Sequence, residues 1–298
     1  MDFITFIQQL INGISLGSMY ALIAIGYTMV YGVLRLINFA HADIMMVAAF
    51  AAFFAIDSLE VSFVLATIIA ILVSVVTGIL TDRVAYKPLR HSPRISLLIT
   101  AIGVSFFLEN IVNVTFGGTP KSFNAPEFFD TIIELSGATL TPTVIIVPVV
   151  TVLLLSILLF ILYRTKYGMA IRALAFDIKT VSLMGIDSNR IIMIVFIIGS
   201  ALAAVGGIFW AISYPILTPY MGVMIGLKAF AAAVLGGIGS VSGAVLGGFI
   251  LGFTEVAVVA LYPELGAYKD AIAFVFLIIV LVLKPTGIMG INFEKSRF

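Results

Sequence analysis

YRTKYGMAIRALAFDIKTVSLMGIDSNR, residues 163–190, is the largest place where this chain must leave an apolar environment. From Arg164 onward it holds seven charged residues, Arg164, Lys166, Arg172, Asp177, Lys179, Asp187 and Arg190, five of them basic, between long uncharged flanks. Ile171, Leu174, Ile178 and Val181 recur at helical spacing, with Arg172, Lys179 and Ser182 on other faces, which reads as a short amphipathic helical element. Asp177 has Thr180 three residues on and could cap a new helix, so the stretch is open between one helix and two. Gly185 ends whatever is helical.

The flanks decide the fold class. The chain is 62% hydrophobic and 10% charged, against about 45–50% and about 25% in soluble domains, and its mean hydropathy is +1.22. Runs near the roughly 20 apolar residues that cross a bilayer repeat from Phe6 almost to the end. They are apolar all round, whereas barrel strands would alternate, so the expected fold is all-α, a polytopic transmembrane helical bundle. Residues 1–298 read as one transmembrane domain with 164–190 as a cytoplasmic loop. The net charge of +1 gives no sign of nucleic acid, and the lack of cysteine excludes disulfides and thiolate sites. The opening MDFITFIQQLING lacks a basic start and a cleavage site, so the first run is expected to be retained as a span.

Moving outward from the central stretch, spans are expected at about Phe6–Val30, Phe39–Ala55, Phe63–Thr81, Ile95–Val114, Pro142–Tyr163 and Ile191–Ser213, with a last run at about Ala271–Leu283. The loop DRVAYKPLRHSPR sets Arg83, Lys87, Arg90 and Arg94 against Asp82 alone, which marks it cytoplasmic and agrees with 164–190. The loop after Val114 carries Glu127, Asp130 and Glu134 against Lys121 and belongs outside. Between Val223 and Val259, GGIGSVSG permits either two full spans joined by a tight inner turn or a re-entrant pair of half-helices. The count is therefore about eight or nine. Nine puts the N-terminus outside and the C-terminus, with Lys295 and Arg297 against Glu294, in the cytoplasm.

Polar groups where lipid should be are candidates for a translocation path or gate, because they are costly to insert. They are Asn38, His41 and Asp43 at the start of the second span, Glu109 and Asn113 in the fourth, and Lys228 and Glu255 near the glycine region. Asn38 and His41, three apart, would share a helix face with Asp43 turned away. A cap and headgroup-level polarity explains these residues equally well. Glu109 and Asn113, four apart near a span end, carry the same discount. Lys228 and Glu255 have opposite charge, and a structural pair or snorkelling is favoured over transport chemistry. Gly13 with Gly17 and Gly243 with Gly247 have the small-residue spacing of close helix packing. Gln8, Asn12 and Ser15 line one face of the first span, again for packing.

No G-x-x-x-x-G-K-[ST], H-E-x-x-H or G-x-S-x-G occurs, and the histidines are only His41 and His91, so no metal, cofactor or catalytic site is expected. The energy for uphill transport would have to come from elsewhere. The segments NGISLGSMYALIAIGYTMVYGVLRLINFAHAD, RVAYKPLR, GMAIRALAFDIKTVSLMGI, GLKAFAAAVLGGIGSVSGAVLGG and KPTGIMG, in this order, resemble the LivH-type permeases of branched-chain amino-acid ABC importers. The resemblance implies a permease subunit, not an enzyme, in the plasma (inner) membrane. It implies a second, homologous permease subunit, two cytoplasmic ATPases that bind the ATP, and an extracytoplasmic substrate-binding protein. It also implies that Gly168–Gly185 couples to an ATPase, with Gly168, Arg172, Asp177 and Gly185 at matching positions.

Two departures stand out. Ala42 and Asp43 occupy positions where the family commonly has glycine and glutamate, and Ser242 stands where proline is usual. Urea and short-amide permeases are close relatives. The rival class is a stand-alone secondary transporter or channel using Glu109, Lys228 or Glu255 as ion-linked sites, while an intramembrane enzyme would lack a nucleophile and base.

Overall fold

The computed structural model describes residues 3–90, 92–135 and 138–290; His91 and the tail charges Glu294, Lys295 and Arg297 lie outside them. Eleven α-helices follow one another among the described residues: α1 Phe3–Leu34, α2 His41–Asp57, α3 Phe63–Leu80, α4 Arg94–Phe116, α5 Pro142–Arg164, α6 Lys166–Phe176, α7 Ile178–Leu183, α8 Ser188–Ser213, α9 Met221–Gly236, α10 Val241–Leu261 and α11 Lys269–Leu283. Short strands β1 Lys121–Ser122, β2 Ile133–Leu135, β3 Ala138–Leu140 and β4 Ile216–Leu217 lie in the connections. Seven helical segments are long and apolar enough to cross a membrane, α3 continuing through a π turn to Leu89 and α11 preceded by a 3-10 segment from Pro263. The fold is a polytopic helical membrane protein.

Helix α1 is the axis of the bundle. Every residue from Ser15 to Val30 is buried, as expected of a helix apolar on all sides. Its approach to α10 is made by small residues: Gly17 faces Phe249 and Gly248, Gly248 faces Ala21, and Gly252 faces Gly13 and Gly17. Lipid offers no hydrophobic drive for helices to associate, so this packing depends on backbones coming close. Gly243 and Gly247 serve another face of α10, lying against Gly236 and Ala232 of α9.

Contacts between connections sort the bundle into two faces. On one, Gln8 Nε2 donates to the Thr139 carbonyl at 3.0 Å, and β1 pairs with β4 through Lys121 with Leu217 and Ser122 with Ile216. On the other, Arg35 reaches α6, Arg90 bridges Asp82 and Asn189, and the amides of Ile288 and Met289 donate to the carbonyls of Leu235 and Gly236 at 2.9 and 2.8 Å. GGIGSVSG thus resolves into two helices, α9 and α10, meeting at a turn where Gly237 and Gly239 take positive φ (109° and 96°). Ser240 caps α10, its Oγ accepting from the Gly243 amide at 3.1 Å. Helix α9 runs from the connection after β4 to the contact with Ile288 and Met289, and α10 is long enough to cross a membrane while α9 is shorter.

Two helices are short for a crossing. The 17 residues of α2 and the 16 of α9 span about 24–26 Å, against a hydrocarbon core of about 30 Å. Both begin inside the bundle: Gly222, second in α9, lies against Asp43 and Ala42, and Phe230 meets Phe39 at 6.2 Å between ring centroids. The irregular segments that lead to them are buried at Leu36, Asn38, Ala40 and Leu217. Backbone of this kind is tolerated at depth when protein covers it.

Candidate functional site

Residues 164–190 form two helices. Asp177 is extended (φ −155°, ψ 109°) between α6 and α7, its Oδ2 accepting from the Thr180 hydroxyl at 2.5 Å. Gly185, with φ 82°, ends the run, and Asp187 caps α8 by accepting from the amides of Asn189 and Arg190. Gly168 is buried at the α5–α6 joint, where a Cβ would overlap the carbonyls of Ile161 and Leu162. Ile171, Leu174 and Val181 bury inward as their spacing suggested, but Ile178 is exposed, as are Tyr167, Met169, Phe176, Leu183 and Met184. Arg172 is exposed, its guanidinium 4.9 Å from the Tyr163 ring centroid. The result is an apolar surface edged with cations, joined to the bundle where the Arg35 guanidinium donates to the Ala175 carbonyl at 3.2 Å.

A second group of polar residues gathers where α2 and α9 begin. Asn38 lies in the turn before α2, so it does not share a helix face with His41, which is the first residue of that helix. Asn38 Oδ1 accepts from the Tyr86 hydroxyl at 2.6 Å, and His41 packs edge-on against Tyr27 at 4.9 Å. Asp43 accepts from the Ser105 hydroxyl of α4, and Glu109 lies one turn further along that helix. The partial positive charges of two helix N-termini favour a carboxylate here. All four of Asn38, His41, Asp43 and Glu109 are buried, while Asn113 is half-buried and its carbonyl closes the end of α4 by accepting from the Gly117 amide at 2.9 Å.

The third group joins four helices. Lys228 Nζ of α9 sits 3.1 Å from Glu255 Oε1 of α10 and 2.6 Å from Asp270 Oδ1 of α11. The Tyr20 hydroxyl of α1 donates to Glu255 at 3.1 Å. A cavity of about 270 Å³ opens beside this cluster, walled by Trp210, Tyr214, Met224 and Ile225 and reached by Lys269. It shares Tyr214, Glu255 and Lys269 with a larger cavity of about 490 Å³ on the Gln8 face, which Asn12, Ser15 and Asp130 also line. Sequence reasoning found Lys228 and Glu255 but missed Tyr20 and Asp270. Tyrosine inside an apolar run carries no pattern, and Asp270 sits at a span boundary where a charge needs no explanation.

Among the described residues there is no cluster of metal ligands. The arrangement is a bundle with a buried polar lining and an external amphipathic handle. Residues 9–281 match the family model described as the branched-chain amino acid transport system permease component. The chain belongs to this family. It is 43% identical over 301 residues to the high-affinity branched-chain amino acid transport system permease protein LivH of Salmonella typhimurium, covering 97% of each chain. To the permease protein BraD of Pseudomonas aeruginosa it is 42% identical over 296 residues, covering 96% of each. A solved structure of an inward-facing, metal-chelate type ABC transporter aligns at TM-score 0.53 and 16% identity, over 93% of this chain and 85% of that one. That likeness concerns the fold alone. These relatives are transport permease subunits of multi-pass architecture and not enzymes.

Proposed function

We propose that this chain is a membrane-spanning permease subunit of an ABC importer that carries leucine, isoleucine or valine inward. Near full-length identity of 43% to a branched-chain amino-acid permease is the observation that carries the reading. A second, homologous permease subunit completes the channel, two ATPases supply the energy, and an extracytoplasmic binding protein delivers substrate. The face bearing Arg35, Arg90 and residues 164–190 is cytoplasmic, with the N-terminus outside and the C-terminus inside, as its excess of basic residues supports.

Helices α6 and α7 dock on an ATPase. Their exposed Tyr167, Met169, Phe176, Leu183 and Met184 suit a groove in a soluble partner, and the flanking cations fix register. When the ATPases close, α6 moves and the Arg35–Ala175 contact passes that motion to the turn carrying Asn38 and on to His41 at the start of α2. The buried junction of α2 and α9 is the element that opens and shuts by alternating access. Purification of this chain from native membranes tests the assembly: an ATPase and a second permease subunit should accompany it. Recovery of this chain alone, with substrate flux driven by an ion gradient, would instead make it a stand-alone transporter.

A further inference from the structure

The cavity beside Lys228 has the chemistry of a receptor for a free amino acid. It holds charges of both signs: Glu255 and Asp270 on one side, Lys228 between them, and Lys269 at the border with the larger outer cavity. Lys228 is committed, bridging both carboxylates at 3.1 and 2.6 Å. Lys269 is half-buried and has no ion pair among the described residues. Trp210, Met224 and Ile225 supply the apolar part of the same lining, and Trp210 is fixed between Tyr20 and Tyr214, with centroids 5.9 and 4.6 Å away. A small apolar pocket with a few convergent polar groups is the form that small-molecule sites take.

We propose that this cavity is a binding station for a zwitterionic amino acid with an apolar side chain, entered from the outer cavity. Lys269 takes the substrate carboxylate, Asp270 and Glu255 take its ammonium, and Met224, Ile225 and Trp210 receive the branched side chain. A free acid or amine fills half of the site and forgoes the other charged contact, which is a substantial share of the binding energy for so small a ligand. Deepening the permease reading, this assignment rests on it and gives the chain its own share in selecting cargo.

Trp210 is the one tryptophan of the chain and provides the readout. The assembly, purified with its partner subunits and without binding protein, is titrated with L-leucine, 4-methylpentanoate and 3-methylbutylamine. The fluorescence change is taken as the difference from a Trp210→Phe assembly. Leucine should give a saturating Trp210 signal, and the acid and the amine should give none at the same concentration. Lys269→Gln should raise the half-saturating leucine concentration by about tenfold or more, since a charged contact is lost, with thermal stability unchanged because no ion pair breaks. Asp270→Asn should do the same, and its effect counts only where its melting curve matches wild type. ATP-driven leucine uptake is measured on the same assembly reconstituted into liposomes with the binding protein added. Uptake without a Trp210 signal, or a signal indifferent to Lys269→Gln, overturns the station alone, whereas absence of ATP-driven uptake overturns the permease reading and the station with it.

Discussion

The guanidinium of Arg35 donates to the carbonyl of Ala175 at 3.2 Å, joining the turn before α2 to the last turn of α6. Arg35 has a positive φ of 53°, a region that costs an ordinary L-residue roughly 1–2 kcal/mol. Arg35→Gly removes the contact and relieves the backbone, two opposed effects of similar size, so thermal stability in detergent should change little. The loss of a hydrogen bond from a charged donor, about 1.5–3 kcal/mol, should appear in transport, with uptake per ATP hydrolysed falling by roughly tenfold or more. A stability loss with unchanged coupling would assign Arg35 a packing role.

Sidedness can be read directly, because the chain has no cysteine to remove. Ser182→Cys, on exposed α7, should react with an impermeant maleimide only after the membrane is opened. Asn124→Cys, in the connection between β1 and the loop that follows, should react in intact cells. The reverse pattern would invert the topology.

Close packing of α1 on α10 makes a sharp contrast between two glycines. A Cβ at Gly248 would come within 2.7 Å of the Ala21 backbone nitrogen, while one at Gly103 on α4 meets nothing within 4 Å. Gly248→Ala should destabilise by roughly 1–3 kcal/mol through overpacking, lowering the melting temperature and the yield of monodisperse protein. Gly103→Ala should be neutral or stabilising by up to about 1 kcal/mol, since alanine is the better helix former. Equal effects at both sites would deny α1–α10 packing its place.

What could be read from residues alone follows from which forces act locally. Spans, their order and the amphipathic stretch at 164–190 are written in hydropathy and charge, which each segment displays without its neighbours. Even the division at Asp177 was open to reading, because a carboxylate and a hydroxyl three residues apart can bond locally, as Thr180 does. Asn38 was misplaced onto a helix face because spacing says nothing about where the buried turn ends and α2 begins. Tyr20, Tyr86, Ser105 and Asp270 escaped notice because their partners lie on other helices. Pairings of that kind are set by packing, as when Tyr86 meets Asn38 across two connections. Likewise, neither sequence periodicity nor hydropathy shows that α2 and α9 begin against one another.

The central claim is that residues 164–190 convert ATP hydrolysis by a partner into amino-acid movement through this bundle. It is tested by reconstituting the co-purified assembly into liposomes with binding protein and radiolabelled leucine, comparing wild type with an Arg172→Ala, Asp177→Ala double variant. Wild type should accumulate leucine only with ATP, and the variant should insert normally and hydrolyse ATP yet lose most uptake. Uptake undiminished in the variant, or leucine flux driven by an ion gradient with no ATPase present, would contradict the account.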